Sequence, residues 1–143
     1  MKEQKLFIGV DPDVEKSGVA FKNGNLIELS NLTFFQLYDY LSFYKERELK
    51  PIVYIECGFL NKSNWHKKSN SNASVNSKIG ERTGANFETA KKIVEMCEYL
   101  NLPFVQIKPT KSKTDSELFK QITGIDKRTN QEQRDAYMLI HGR

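Results

Sequence analysis

The sequence predicts a single α/β domain on a mixed five-stranded sheet: a three-strand antiparallel meander, then two parallel strands, with helices on both faces. Three observations predict it. First, two short apolar runs, residues 7–10 and 52–55, each end on an acid, Asp11 and Glu56. Such runs read as buried strands that deliver a polar group at their carboxyl end, where open α/β sheets place their chemistry. Second, Asn23-Gly24-Asn25 separates two further runs with the Asn-Gly step that favours a tight hairpin. Third, helical spacings alternate with strand-like runs in the rest of the chain, the order that makes strands parallel.

The elements follow in order. Residues 6–10 form the first strand, Asp11-Pro12-Asp13 turns the chain, and Ser17-Gly18 leads into a second strand at 19–22. The hairpin passes into a third strand at 26–29. Thr33-Phe34-Phe35-Gln36 has the form of a capping box, and Leu37, Tyr40, Leu41 and Tyr44 recur at helical spacing until the charged run 45–50 and Pro51. Residues 52–56 make the fourth strand. Residues 57–83, rich in Ser, Asn and Lys, are expected to form a flexible basic loop. Gly84-Ala85-Asn86 opens a helix with an apolar stripe of Phe87, Ala90, Val94 and Cys97, and residues 103–107 form the fifth strand. Past a basic linker, Thr114-Asp115-Ser116-Glu117 starts a short helix that Gly124 ends. The last helix, residues 129–140, carries Glu132, Asp135, Ala136, Leu139 and Ile140.

At 143 residues the chain has the length of one domain, 1–143, able to bury a proper core. Its net charge of +4 suits a polyanionic partner, with cations concentrated in residues 62–78 and 108–113. The two cysteines, Cys57 and Cys97, fall on different elements, which makes neither a disulfide framework nor a metal-binding spacing. Reduced thiols, a charged start and the absence of any bilayer-length apolar run give a cytoplasmic expectation with no membrane.

Parallel pairing of the first and fourth strands would set Asp11 beside Glu56. Glu132 and Asp135, three apart on the last helix, share a face that can point at the strand ends. Carboxylates gathered this way crowd each other out of ionisation unless a cation stands among them. Hard divalent ions, Mg²⁺ or Mn²⁺, take oxygen ligands, and two of them together activate a water and stabilise the leaving oxygen of a phosphodiester. The chemistry to which this pattern points is metal-dependent phosphodiester hydrolysis. Each acid also has a local explanation. Asp11 suits a turn, Glu56 a paired strand end, Glu132 a capping box from Thr129, and Asp135 the first helical turn.

The succession Ile8-Gly9-Val10-Asp11-Pro12, Ser17-Gly18, Tyr54-Ile55-Glu56 and Glu132-Gln133-Arg134-Asp135-Ala136 resembles the RuvC-like Holliday junction resolvases of the ribonuclease H-like superfamily. The resemblance covers nearly the whole chain in element order. It implies a ribonuclease H-like fold, two Mg²⁺ ions with Mn²⁺ as a substitute, and Asp11, Glu56, Glu132 and Asp135 as catalytic and metal-binding residues. It also implies branched DNA as substrate and a homodimer, with the helix from Gly84 as the expected interface. Two departures stand out: Asp13 where the family often has glycine, and Glu132 where it usually has Asp.

Nucleic-acid contacts are expected from Lys62, Trp65, His66, Lys67, Lys68, Lys78 and Arg82 in the long loop, and from Lys108, Lys111 and Lys113 after the fifth strand. Trp65 or Phe59 would stack on unpaired bases. The same loop also reads as a solvated insertion with its Trp over a small apolar patch. Arg134 reads as structural or phosphate-contacting. Competing functions are a nuclease on RNA/DNA hybrid or structured RNA and a non-catalytic nucleic-acid-binding relative. An actin-like ATPase would need a second glycine-rich phosphate loop, and an aspartyl phosphatase a helix-borne lysine; neither is evident.

Overall fold

The structure is a computed structural model that describes residues 5–61 and 73–143. Its elements run β1 (Leu6–Asp11), β2 (Ser17–Asn23), β3 (Leu26–Leu32), α1 (Phe34–Glu46), β4 (Ile52–Glu56), a 3-10 turn (Gly58–Leu60), α2 (Ala73–Tyr99), β5 (Phe104–Ile107), α3 (Ser116–Thr123) and α4 (Gln131–Met138). The strands are ordered β3-β2-β1-β4-β5. β1, β2 and β3 pair antiparallel, while β1, β4 and β5 run parallel. This is the five-stranded mixed sheet, a three-strand antiparallel meander with two parallel strands, that the sequence predicts.

Local chemistry explains the boundaries. Thr33 caps α1 and Gln36 returns the bond to its backbone, completing the expected capping box. Asp115 caps α3, and Gly124 ends it in the left-handed conformation at φ 73°. The hairpin between β2 and β3 turns through Gly24, also at positive φ.

Two helices differ from expectation, and β3 runs on to Leu32 rather than ending at residue 29. α2 begins at Ala73 rather than Gly84, so Lys78 and Arg82 stand on a helix and not in a loop. Gly80, Gly84 and the Ser/Asn content read as helix breakers. Both glycines face open space, and the well-packed second half of α2 carries its polar first half along. α4 is shorter than residues 129–140 and starts from Asn130, whose capping box is closed by Gln133. Glu132 is therefore not a capping-box acid.

Strand alternation divides the core between the two faces. Ile8, Val10, Val19, Phe21, Val53 and Ile55 pack with α1 and α2, whereas Phe7, Ala20 and Tyr54 pack with α3 and α4. Cys57 and Cys97 are buried and unpaired with each other. Among the described residues, no helix is long and apolar enough to cross a membrane.

Candidate active site

One transverse row of the sheet carries the candidate site. Asp11 pairs with Gly18, and Gly18 pairs with Asn31. The parallel register Val10↔Ile55 sets Glu56 level with Asp11, and Glu56 pairs with Ile107. Strand alternation aims Asp11 and Glu56 to the face that α4 covers, the face of Phe7 and Tyr54.

α4 reaches this row because the sheet beneath it lacks side chains where it crosses. A Cβ on Gly9 would overlap the Ala136 carbonyl, and one on Gly18 would overlap the Glu132 carbonyl. The helix backbone thus lies directly on two glycines, with the small Ala20 beside them. That close approach lowers Asp135 to the level of Asp11 and Glu56.

The electrostatics record the result. Burial, then the Glu56 and Asp135 carboxylates, push Asp11 up to about 8, and the Glu56 carboxyl hydrogen-bonds with it. Glu56 is also raised, first by burial, with Asp135 adding and Lys113 opposing. Burial and mutual repulsion thus outweigh Lys113 and favour keeping a proton on the hydrogen-bonded Asp11–Glu56 pair.

Lys113 is the cation of the cluster. Its Nζ stands 2.9 Å from Asp135 Oδ2, with the Asp135 side chain 12% exposed. Burial pulls the Lys113 ammonium down, but Asp135, Glu56 and Asp11 outweigh it and hold it above its ordinary value. Gln131 donates to Asp135 Oδ1 at 2.7 Å, so both oxygens of Asp135 are engaged. Of the three lysines expected after β5, Lys113 reaches the acids, Lys108 lines the adjoining cleft and Lys111 is exposed.

Two clefts of about 150 Å³ each meet at Glu56. One is floored by Ile107 and Asp135 and walled by Lys108, Thr110 and Lys113. The other lies against α2, between Asp11, Pro12, Asn86 and Phe87.

The remaining candidates divide clearly. Glu132 is exposed, and the charges acting on Asp11 are those of Glu56, Asp135 and Lys113. Asp13 pairs with Arg82 at 3.0 Å, and Asn86 Oδ1 accepts from the Val14 backbone at 3.0 Å, so α2 grips the turn after Asp11. Arg134 donates to the Thr114 and Thr129 carbonyls and to Gln131, which makes it a brace at the start of α4. Phe59 packs on the core with Lys91 over its ring. Lys78 is exposed on α2, whereas Lys62, Trp65, His66, Lys67 and Lys68 lie outside the described residues.

The donor set suits a hard divalent cation: carboxylate oxygens, partly buried, on rigid strand ends and a helix. As the side chains stand, no group of three or more His, Cys, Asp or Glu among the described residues closes on a metal position. Both Asp135 oxygens are taken up by Lys113 and Gln131.

No family model matches the chain, and no curated protein matches it. Among solved structures, RuvC of T. thermophilus in complex with a Holliday junction substrate is similar, with a TM-score of 0.49 and 11% sequence identity over 94% of this chain and 89% of that one.

Proposed function

We propose that this chain is a metal-dependent nuclease and, within that class, an endodeoxyribonuclease of branched DNA such as Holliday junctions. The observation that carries the hydrolytic reading is the row in which Asp11 and Glu56 share one level and Asp135 and Lys113 stand with them. Asp11, Glu56 and Asp135 would hold Mg²⁺, or Mn²⁺ in its place, with Glu132 as an outer carboxylate. When bound, the ions supply Lewis acidity and an activated water to a phosphodiester.

The chain's own groups do the rest. Asp11 and Glu56, fixed on neighbouring strand ends, set their oxygens at one level, where a bound cation would offset their mutual repulsion. Lys113 would present its ammonium to a phosphate oxygen at the mouth of the cleft that it lines with Lys108. Branched DNA rests on the motif resemblance and the positive net charge. A homodimer, with two sites for paired nicks, belongs to the same reading.

The test is cleavage of a four-way junction, a linear duplex and an RNA/DNA hybrid, each in Mg²⁺ or in chelator. Cutting of the junction in Mg²⁺ that is lost in Asp11→Asn and Glu56→Gln is expected. Equal cutting in chelator removes the metal, and preference for the hybrid keeps the metal but replaces the substrate. A monomer at assay concentration removes the paired nicks.

A further inference from the structure

The end of the sheet away from the acids carries a second hollow. Lys22, Phe7 and Ile52 pair across β2, β1 and β4. Their row lies four residues from that of Asp11, roughly 13 Å at the usual rise, and strand alternation turns it to the same face. A hollow of about 1110 Å³ opens there, lined by Phe7, Ile52 and Tyr54 from the sheet and by Lys5, Lys22 and Arg143. Among the described residues no acid lines it, and none of these three cations forms an ion pair with a side-chain carboxylate.

Arg143 joins this hollow to the acids. It lines both the hollow and the cleft in which Glu56, Asp135, Lys108 and Lys113 stand. Its Nε donates to the Leu139 carbonyl at 2.9 Å, and its guanidinium carbon lies 4.3 Å from the centre of the Tyr54 ring, which fixes an exposed cation against the sheet. Lys22 Nζ donates to the Arg143 backbone carbonyl at 3.2 Å, so it too is held at the hollow. Positive charge therefore extends from Lys108 and Lys113 in the cleft, through Arg143 at the joint, to Lys22 and Lys5.

The lining selects its occupant. Phe7 and Tyr54 are only 8% exposed, and Arg143 covers the Tyr54 ring, so neither offers a bare face on which a base could stack. What the hollow offers is cations without competing acids, the surface that takes phosphates. The acid row itself repels a polyanion, so charge set apart from it supplies the attraction.

We propose that this hollow holds the phosphate backbone of a nucleic-acid arm whose reacting phosphate lies at the acids, with Lys5 and Lys22 as the contacts. This rests on the nuclease reading and gives it a footprint: the arm extends about four base pairs past the reacting phosphate, at about 3.4 Å per pair.

The experiment measures binding of a labelled four-way junction by fluorescence anisotropy in chelator over a salt series. A second junction carries uncharged methylphosphonate linkages about three to five nucleotides from the branch in every arm. Lys5→Ala/Lys22→Ala is expected to bind the ordinary junction about tenfold more weakly and to lower the salt slope by about two. On the methylphosphonate junction the same variant loses less than about twofold, because the partner charges are already gone. Lys5→Arg/Lys22→Arg restores the affinity. Lys45→Ala/Lys92→Ala removes equal charge from α1 and α2, across the sheet, and leaves affinity within about twofold.

Equal losses in the two alanine pairs reduce the effect to net charge and overturn the site, as does unchanged junction affinity in Lys5→Ala/Lys22→Ala. Inorganic phosphate or adenosine monophosphate that binds through these lysines while junction affinity stays unchanged makes the hollow a small-anion site and overturns the proposal too. Junction binding that depends on Lys5 and Lys22, in a protein that cleaves nothing in Mg²⁺ or Mn²⁺, upholds the hollow and removes the nuclease. Metal-dependent cleavage with binding indifferent to both lysines does the reverse.

Discussion

The Glu132 carbonyl rests on Gly18, the residue that pairs with Asp11 across the β1–β2 ladder. One glycine therefore fixes the height of α4 above the acid row, and with it the position of Asp135. Gly18→Ala is expected to destabilise the fold by about 1–3 kcal/mol, the usual cost of overpacking, because its Cβ meets helix backbone that cannot rotate away. Urea unfolding measures the loss, and an unchanged midpoint shows that the helix does not need this seat.

The proton between Asp11 and Glu56 makes metal-free stability depend on pH. Asp11 is raised from 3.8 to about 8, so the folded chain keeps a proton that the unfolded chain releases. This contribution is fully present below about pH 4 and is lost as pH rises toward 8. In chelator, the urea midpoint is expected to fall across that window. Asp11→Asn flattens the fall and is more stable than the unsubstituted protein at pH 8, on the order of 1–3 kcal/mol. An equally steep fall in Asp11→Asn points to other groups.

On the proposed nuclease reading, Lys113 and a divalent cation would compete for the Asp135 carboxylate. Lys113→Met is expected to tighten Mg²⁺ binding roughly threefold to tenfold by calorimetry, because a competing positive charge leaves Asp135. Nucleic-acid cleavage falls in the same variant. Weaker Mg²⁺ binding indicates that Lys113 holds the site together.

The two acids of α4 are unequal. Asp135 is 12% exposed beside Lys113, whereas Glu132 is exposed one turn earlier. Asp135→Asn is expected to abolish Mg²⁺-dependent cleavage, and Glu132→Gln to reduce it about tenfold or less, measured as initial rates at saturating Mg²⁺. Equal losses give Glu132 a direct place among the ligands.

The parts of the molecule written in local chemistry were legible in its sequence. The Thr33 cap, the Gly124 stop, the Gly24 hairpin and the strand ends at Asp11 and Glu56 each depend on a few neighbouring residues. The three-residue spacing of Glu132 and Asp135 gave a common helix face. It could not say that Asp135 alone is drawn to the acids, because that depends on where the helix backbone meets Gly9 and Gly18. Lys113 was one of three lysines on a loop, where no periodicity fixes direction.

The grip of Arg82 and Asn86 on the turn after Asp11 has a mechanical consequence. Residue 13 is a strut in this chain, where glycine would be a free hinge. Displacement of the first half of α2 is thereby passed to the backbone that aims Asp11, so a load applied along that helix reaches the strand end through Arg82, paired with Asp13 and Glu15, and through the Asn86 amide.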